Sequence, residues 1–258
     1  MKDNRITSGT VRDGKPRKYF TMSFDDGVTQ DRRVTQICRD HNFYGVTFFI
    51  NTGLFGANWP DVGPSQFGRD DVTHIRFTED EIRTGIYDGF DVQVHTLHHP
   101  CLVWYDDQPE KLREEVGGDA DNIKRIFGYA PVGMSWPGSE LNASETTIKK
   151  IIELTDIRYS RCAARATHDF SLPEQFMLWY PSCSLSESCT DELAEQFLKL
   201  KPDRDAVFYV WNHAYELDAF DTYGRLERLI KRMSGAEDVI CVSNTEFYEL
   251  FKDEIPAY

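Results

Sequence analysis

The sequence has no run near the roughly 18 consecutive apolar residues that a membrane-spanning helix requires. Its first twenty residues, MKDNRITSGTVRDGKPRKYF, lack the apolar block of a secretory leader. The expectation is a cytoplasmic protein. Basic charge is scarce as well: 29 Lys and Arg stand against 43 Asp and Glu, a net charge of −14. Nucleic-acid binding depends on Lys and Arg meeting phosphates, so the reading excludes nucleic acid and anionic membrane surfaces as partners. Neutral or cationic substrates suit such a chain better, and the acidity also serves solubility.

Cysteine pairs at metal-finger spacing are missing too. Cys38, Cys101, Cys162, Cys183, Cys189 and Cys241 contain no CxxC, and reduced, mostly buried thiols are expected. No glycine-rich GxGxxG or Walker turn marks a nucleotide fold. Repeats, low-complexity tracts and linkers are absent from the sequence. The 258 residues therefore read as one domain over 1–258, with a motif-bearing core at about 18–251.

Short β-rich runs alternate with helical patterns. Strands are expected at 18–24, 46–51, 90–96, 132–137, 157–163, 206–213 and 239–244. Helices are expected at 29–41, from a Thr78/Glu81 capping box, at 109–127, at 142–154 with Asn142 and Glu145 as cap pair, at 191–200, at 223–233 and near the C-terminus. The stretch 165–188 is irregular. Seven βα-like units with short, apolar strands imply an α/β fold, a distorted, TIM-like (β/α) barrel of about seven parallel strands. Chemistry in such barrels sits at the C-terminal strand ends.

Acidic residues and histidines gather at those ends. Strand one ends at Asp25 and Asp26, strand three at His95 with His99 four residues on, and strand six at His213. In a helical or tight turn, residues four apart point the same way. Two imidazoles and one carboxylate can then hold a metal ion and leave positions open. One Asp would coordinate the ion while its neighbour serves as base, and the cation would relieve their repulsion. Gly27 lets the chain turn sharply out of the strand. His98 is expected to point away. His41, His74 and His168 read as surface residues. His213 reads either as a satisfied core residue or as a general acid, with Glu216 three residues on to orient it or raise its pKa.

The stretches MSFDDG and HTLHHP resemble the first two motifs of the polysaccharide deacetylase family of metal-dependent carbohydrate esterases, and their separation is similar too. The resemblance implies a deacetylase barrel in which Asp26, His95 and His99 bind a divalent metal, usually zinc, with cobalt, nickel or manganese as alternatives. It implies Asp25 as catalytic base and His213 as the acid that protonates the leaving amine. Trp211 stands where the family usually has a Leu lining the acetyl pocket.

The third family motif normally carries an Arg that holds the base. Here the segment is MSWPGSELN: Pro137 aligns, the Gly138 N–H is a candidate oxyanion donor, and no Arg is present. Arg161 is a candidate replacement. The fourth motif is not matched near Asp156. Phe55, Trp59, Trp136, Trp179 and Tyr215 are candidates for stacking on sugars, although core packing is the default; Trp104 and Tyr105, just after HTLHHP, are the preferred pair. The expected activity is removal of N-acetyl groups from amino-sugar saccharides. Alternatives are hydrolysis of a non-sugar amide, formamide or ureide, and a barrel that only binds glycans. Oligomeric state is not legible.

Overall fold

The computed structural model describes residues 14–258. The residues read above for a leader lie largely outside that range. Among the described residues no helix is long and apolar enough to cross a membrane.

Eight strands are described: β1 (Lys18–Asp26), β2 (Val46–Ile50), β3 (Asp91–Val94), β4 (Gly133–Ser135), β5 (Tyr159–Arg161), β6 (Cys183–Ser184), β7 (Ala206–His213) and β8 (Val239–Cys241). All pair in parallel, in the order β5-β4-β3-β2-β1-β7-β6, with β8 against the start of β1. The helices are α1 (Asp31–Asp40), α2 (Glu79–Ile82), α3 (Pro109–Leu112), α4 (Gly118–Phe127), α5 (Glu145–Leu154), α6 (Thr190–Lys199), α7 (Ala214–Phe220), α8 (Tyr223–Ser234) and α9 (Asn244–Phe251). The expected distorted (β/α) barrel is the fold.

Several details differ from the sequence reading. β6 and α7 were not foreseen: two residues of strand carry no periodicity, and α7 follows β7 without a break. The helix expected at 109–127 is not one regular α-helix: between α3 and α4 the chain widens into a π turn, Arg113–Gly117. The cap of α5 is Ser144, whose side chain accepts from the Thr147 N–H, and not Asn142. Asn142 instead donates to the Pro137 carbonyl at 3.0 Å.

The barrel closes through an irregular segment. Trp179 donates its backbone N–H to the Ser160 carbonyl at 3.1 Å and accepts from Cys162 at 2.9 Å. A few residues on, Ser182 donates to the Tyr209 carbonyl at 2.8 Å. The stretch thus joins β5 to β7. Trp179 is 1% exposed, stacked on Phe247 of α9 with ring centroids 4.8 Å apart and 4.7 Å from Tyr209. These aromatics, with Tyr19 and Phe49, fill the barrel interior.

Strand alternation places Tyr19, Thr21, Ser23 and Asp25 on one face of β1. In register, Asp25 lies opposite His213 at the ends of β1 and β7. The interior thus holds aromatic rings and hydrogen-bonded hydroxyl groups below and ionisable groups at the rim.

Trp179→Ala keeps the closing backbone bonds but removes the ring that fills the centre of the barrel. It is expected to cost about 3–5 kcal/mol of stability, read as a lowered urea midpoint.

Candidate active site

Three backbone irregularities shape the rim. Asp26 has φ +81°, Thr96 +69° and His99 +57°, a region that non-glycine residues rarely occupy and that concentrates at functional sites. Gly27, at φ +65°, continues the turn after Asp26. A Cβ there would sit 3.1 Å from the Ile50 side chain, a tight contact, and the positive dihedral itself favours glycine. Of the helical or tight turn expected between His95 and His99, the structure has the non-helical form. They converge through a loop that Thr96 braces, its hydroxyl accepting from the His99 N–H at 3.1 Å. Their ring centroids lie 4.9 Å apart.

Asp25, Asp26 and His95 are each at most 3% exposed. Asp26 Oδ1 lies 3.7 Å from His95 Nε2 and 4.0 Å from His99 Nε2. One ligand atom from each of Asp26, His95 and His99 falls within 4.8 Å of the others. The chemistry of His95 fits a metal. Its Nδ1 faces the Ser135 carbonyl at 3.0 Å; a carbonyl only accepts, so Nδ1 carries the proton and Nε2 the lone pair. That Nε2 is buried and without a hydrogen-bond partner. Burial first, and then the neighbouring His99, push the His95 pKa down to about 3, so the ring is neutral, as ligation requires.

Arg161 forms an ion pair with Asp25 Oδ2. It is 1% exposed, and its guanidinium lies 4.1 Å from the Trp211 ring. The cation missing from MSWPGSELN therefore stands beside Asp25 from the end of β5. His213 Nδ1 is 3.0 Å from Glu216, and its Nε2 lies 3.9 Å from Asp26 Oδ2. Burial disfavours the charged His213 ring, but the bond to Glu216, the Glu216 charge and the Asp26 charge together outweigh it and hold the pKa above the ordinary imidazole value. Glu216 is the orienting partner of that ring.

Two residues were missed. His74, read above as a surface residue, is 2% exposed and lies 3.1 Å from Asp26 Oδ2. Arg76, 1% exposed, donates to Asp26 Oδ1 at 3.0 Å. Both come from the loop after β2, which no motif covers; the nearest sequence signal was an isolated HIR in a polar, Gly- and Asp-rich loop. Of the other histidines, His98 turns away to Glu115 at 2.9 Å, His41 pairs with Glu227 at 3.0 Å and is largely covered, and His168 is exposed.

A cavity of about 200 Å³ opens over these groups. Trp59, Trp136, Trp211 and Tyr215 form its aromatic walls, and Gly138 lies at its edge. Trp104 and Tyr105, the preferred stacking pair, do not line it. Trp104 is exposed and Tyr105 packs against the core, because the short helical turn after HTLHHP carries them outward. Pro137 does not line it either; it is buried, and its carbonyl accepts from Ser139 and Asn142. A larger cavity, about 350 Å³, opens where β2 and β3 begin and gathers no imidazole.

Residues 12–159 match the sequence model of the polysaccharide deacetylase family. No curated relative matches the chain. Among solved structures, a putative polysaccharide deacetylase from Mycobacterium smegmatis is similar, with 14% identity over 96% of this chain and 94% of its own and a TM-score of 0.61. A family 4 acetyl xylan esterase from Clostridium thermocellum, solved with a cobalt ion, has 15% identity over 93% of each chain and a TM-score of 0.54. A peptidoglycan deacetylase from Bacillus subtilis has 14% identity over 92% of this chain and 93% of its own, with a TM-score of 0.51. At these identities the structures establish a shared fold. The sequence match spans more than half of the chain and includes both FDDG and HTLHHP. With those motifs folded into one rim, the chain belongs to the polysaccharide deacetylase family of metal-dependent hydrolases.

Proposed function

We infer that this rim removes N-acetyl groups from short or chain-terminal amino-sugar saccharides. The observation that carries the reading is the convergence of Asp26, His95 and His99 beside Asp25, which has its own ion pair with Arg161. A divalent ion held by those three residues, zinc by its preference for nitrogen and oxygen ligands in open sites, would polarise the acyl carbonyl and lower the pKa of a bound water. Asp25, held by Arg161, takes the proton of the attacking water. The Gly138 N–H donates to the oxygen that gains charge as the new C–O bond forms. His213, held through Nδ1 by Glu216, gives its Nε2 proton to the nitrogen as the C–N bond breaks. Acetate and a free amine leave.

Substrate size follows from the cavity. Its volume of about 200 Å³ falls below the roughly 300–1,000 Å³ typical of drug-sized ligands. One acylated residue suits it better than the middle of a polymer. The same volume supports a second reading, a small N-acyl amide without a sugar.

Purified protein with added zinc or cobalt is expected to release acetate from N-acetylglucosamine and its short oligomers. Chelation and Asp25→Asn should each abolish the release. Bound metal without release from any of these saccharides, but with turnover of small amides, would select the second reading.

Arg161→Met leaves Asp25 buried without its counter-charge. It is expected to cost about 3–5 kcal/mol of stability and to lower kcat/KM about 10- to 100-fold, measured by denaturation and steady-state kinetics.

A further inference from the structure

The loop that follows β2 returns to the site at His74–Phe77. Thr29 donates its backbone N–H to the Ile75 carbonyl at 2.8 Å, and Phe77 donates to the Gly27 carbonyl at 3.1 Å. Arg76 forms an isolated antiparallel bridge with Val28. The segment is therefore tied to the turn that directly follows Asp26, and its side chains reach that carboxylate.

We propose that His74 and Arg76 are positioning residues that orient the carboxylate of Asp26 for the metal. The proposal rests on the reading of Asp26, His95 and His99 as ligands. His74 sits at Oδ2, 3.1 Å away. Arg76 donates to Oδ1 at 3.0 Å, the oxygen that faces both imidazoles. An oxygen with two lone pairs can accept from Arg76 and still offer the other pair. With Arg76 bound to one oxygen and the His74 ring packed against the other, the carboxylate cannot rotate freely.

The same guanidinium reaches further. Its Nη2 and Nε lie 3.4 Å from Asn51 Oδ1. Asn51 Nδ2 in turn donates to the carbonyls of His95 and Thr96 at 2.5 and 3.0 Å. Arg76 thus ties the carboxylate ligand to the backbone that carries the first imidazole. The planar fork is needed for this, since a lysine ammonium is a single point and cannot bridge two acceptors in fixed geometry. Trp59 lies 3.9 Å from the Arg76 guanidinium, and its ring meets His74 edge-on with centroids 4.9 Å apart, which holds the pair in place. Each of the two adjacent carboxylates accordingly has its own arginine, Arg161 on Asp25 and Arg76 on Asp26. The strained φ of Asp26 is held by partners on both sides.

Outer partners of metal ligands typically affect metal affinity 10- to 100-fold. The test is cobalt affinity and stoichiometry, by competition against a chromophoric chelator, in four variants with their melting temperatures. Arg76→Lys keeps the charge and removes the fork. His74→Phe removes the ring nitrogen that lies against Oδ2, and His74→Gln restores a polar group there. His99→Ala removes a ligand. Arg76→Lys and His74→Phe are expected to bind about one ion per chain some 10- to 100-fold more weakly, with His74→Gln near the parent and His99→Ala without binding. Parent-like affinity in Arg76→Lys and His74→Phe, with binding lost in His99→Ala, overturns the proposal and leaves the ligand reading standing. Parent-like binding in His99→Ala overturns the ligand reading itself. If Arg76→Lys does not fold, the comparison of His74→Phe with His74→Gln decides the proposal alone.

Discussion

Two adjacent carboxylates, each nearly water-free, are the constraint around which the rim is arranged. Burying an ion without compensation costs several kcal/mol, and Asp25 and Asp26 repel each other as well. The fold meets this by dividing the compensation. β1 ends in a left-handed turn at Asp26 and Gly27, so the two side chains leave the strand in different directions. Asp25 points along the interior face toward Arg161 and lies opposite His213. Asp26 points toward the imidazoles, His74 and Arg76. Burial opposes the ionisation of Asp26, but His74, His213, Arg76 and His95 together hold its pKa well below the usual carboxylate range.

That division explains why the chain retains both acids without the arginine expected in MSWPGSELN. A guanidinium beside the base is an electrostatic requirement, and any strand end on the same rim can satisfy it. β5 neighbours β4, so Arg161 reaches from one strand over. Ser135, at the end of β4, keeps a different task and sets the tautomer of His95. The loop after β2 supplies the remaining groups and also the walls Trp59 and Val62, so one loop both lines the cavity and reaches the Asp26 carboxylate.

The fold was legible because parallel strands beneath helices leave a strong pattern: apolar runs separated by capped helices. The misses share a cause. β6 is too short to show periodicity, and the closing segment around Trp179 pairs through single bridges. His74 and Arg76 lie in a loop whose polar composition reads as exposed, and only the pairing of that loop with Val28 brings them under cover. Trp104 and Tyr105 lie close to HTLHHP in sequence, but a short helical turn carries them away from the cavity.

What the sequence determined by itself is a set of candidate groups: FDDG and HTLHHP at strand ends place two acids and two imidazoles on one rim, because strand ends of a parallel barrel share a face. What only the tertiary structure decided is the partner of each group. Arg161 for Asp25, Arg76 and His74 for Asp26, and Ser135 for His95 all come from segments distant in the chain. Such partners are selected by charge and reach within a few ångströms, and linear spacing carries no record of that distance.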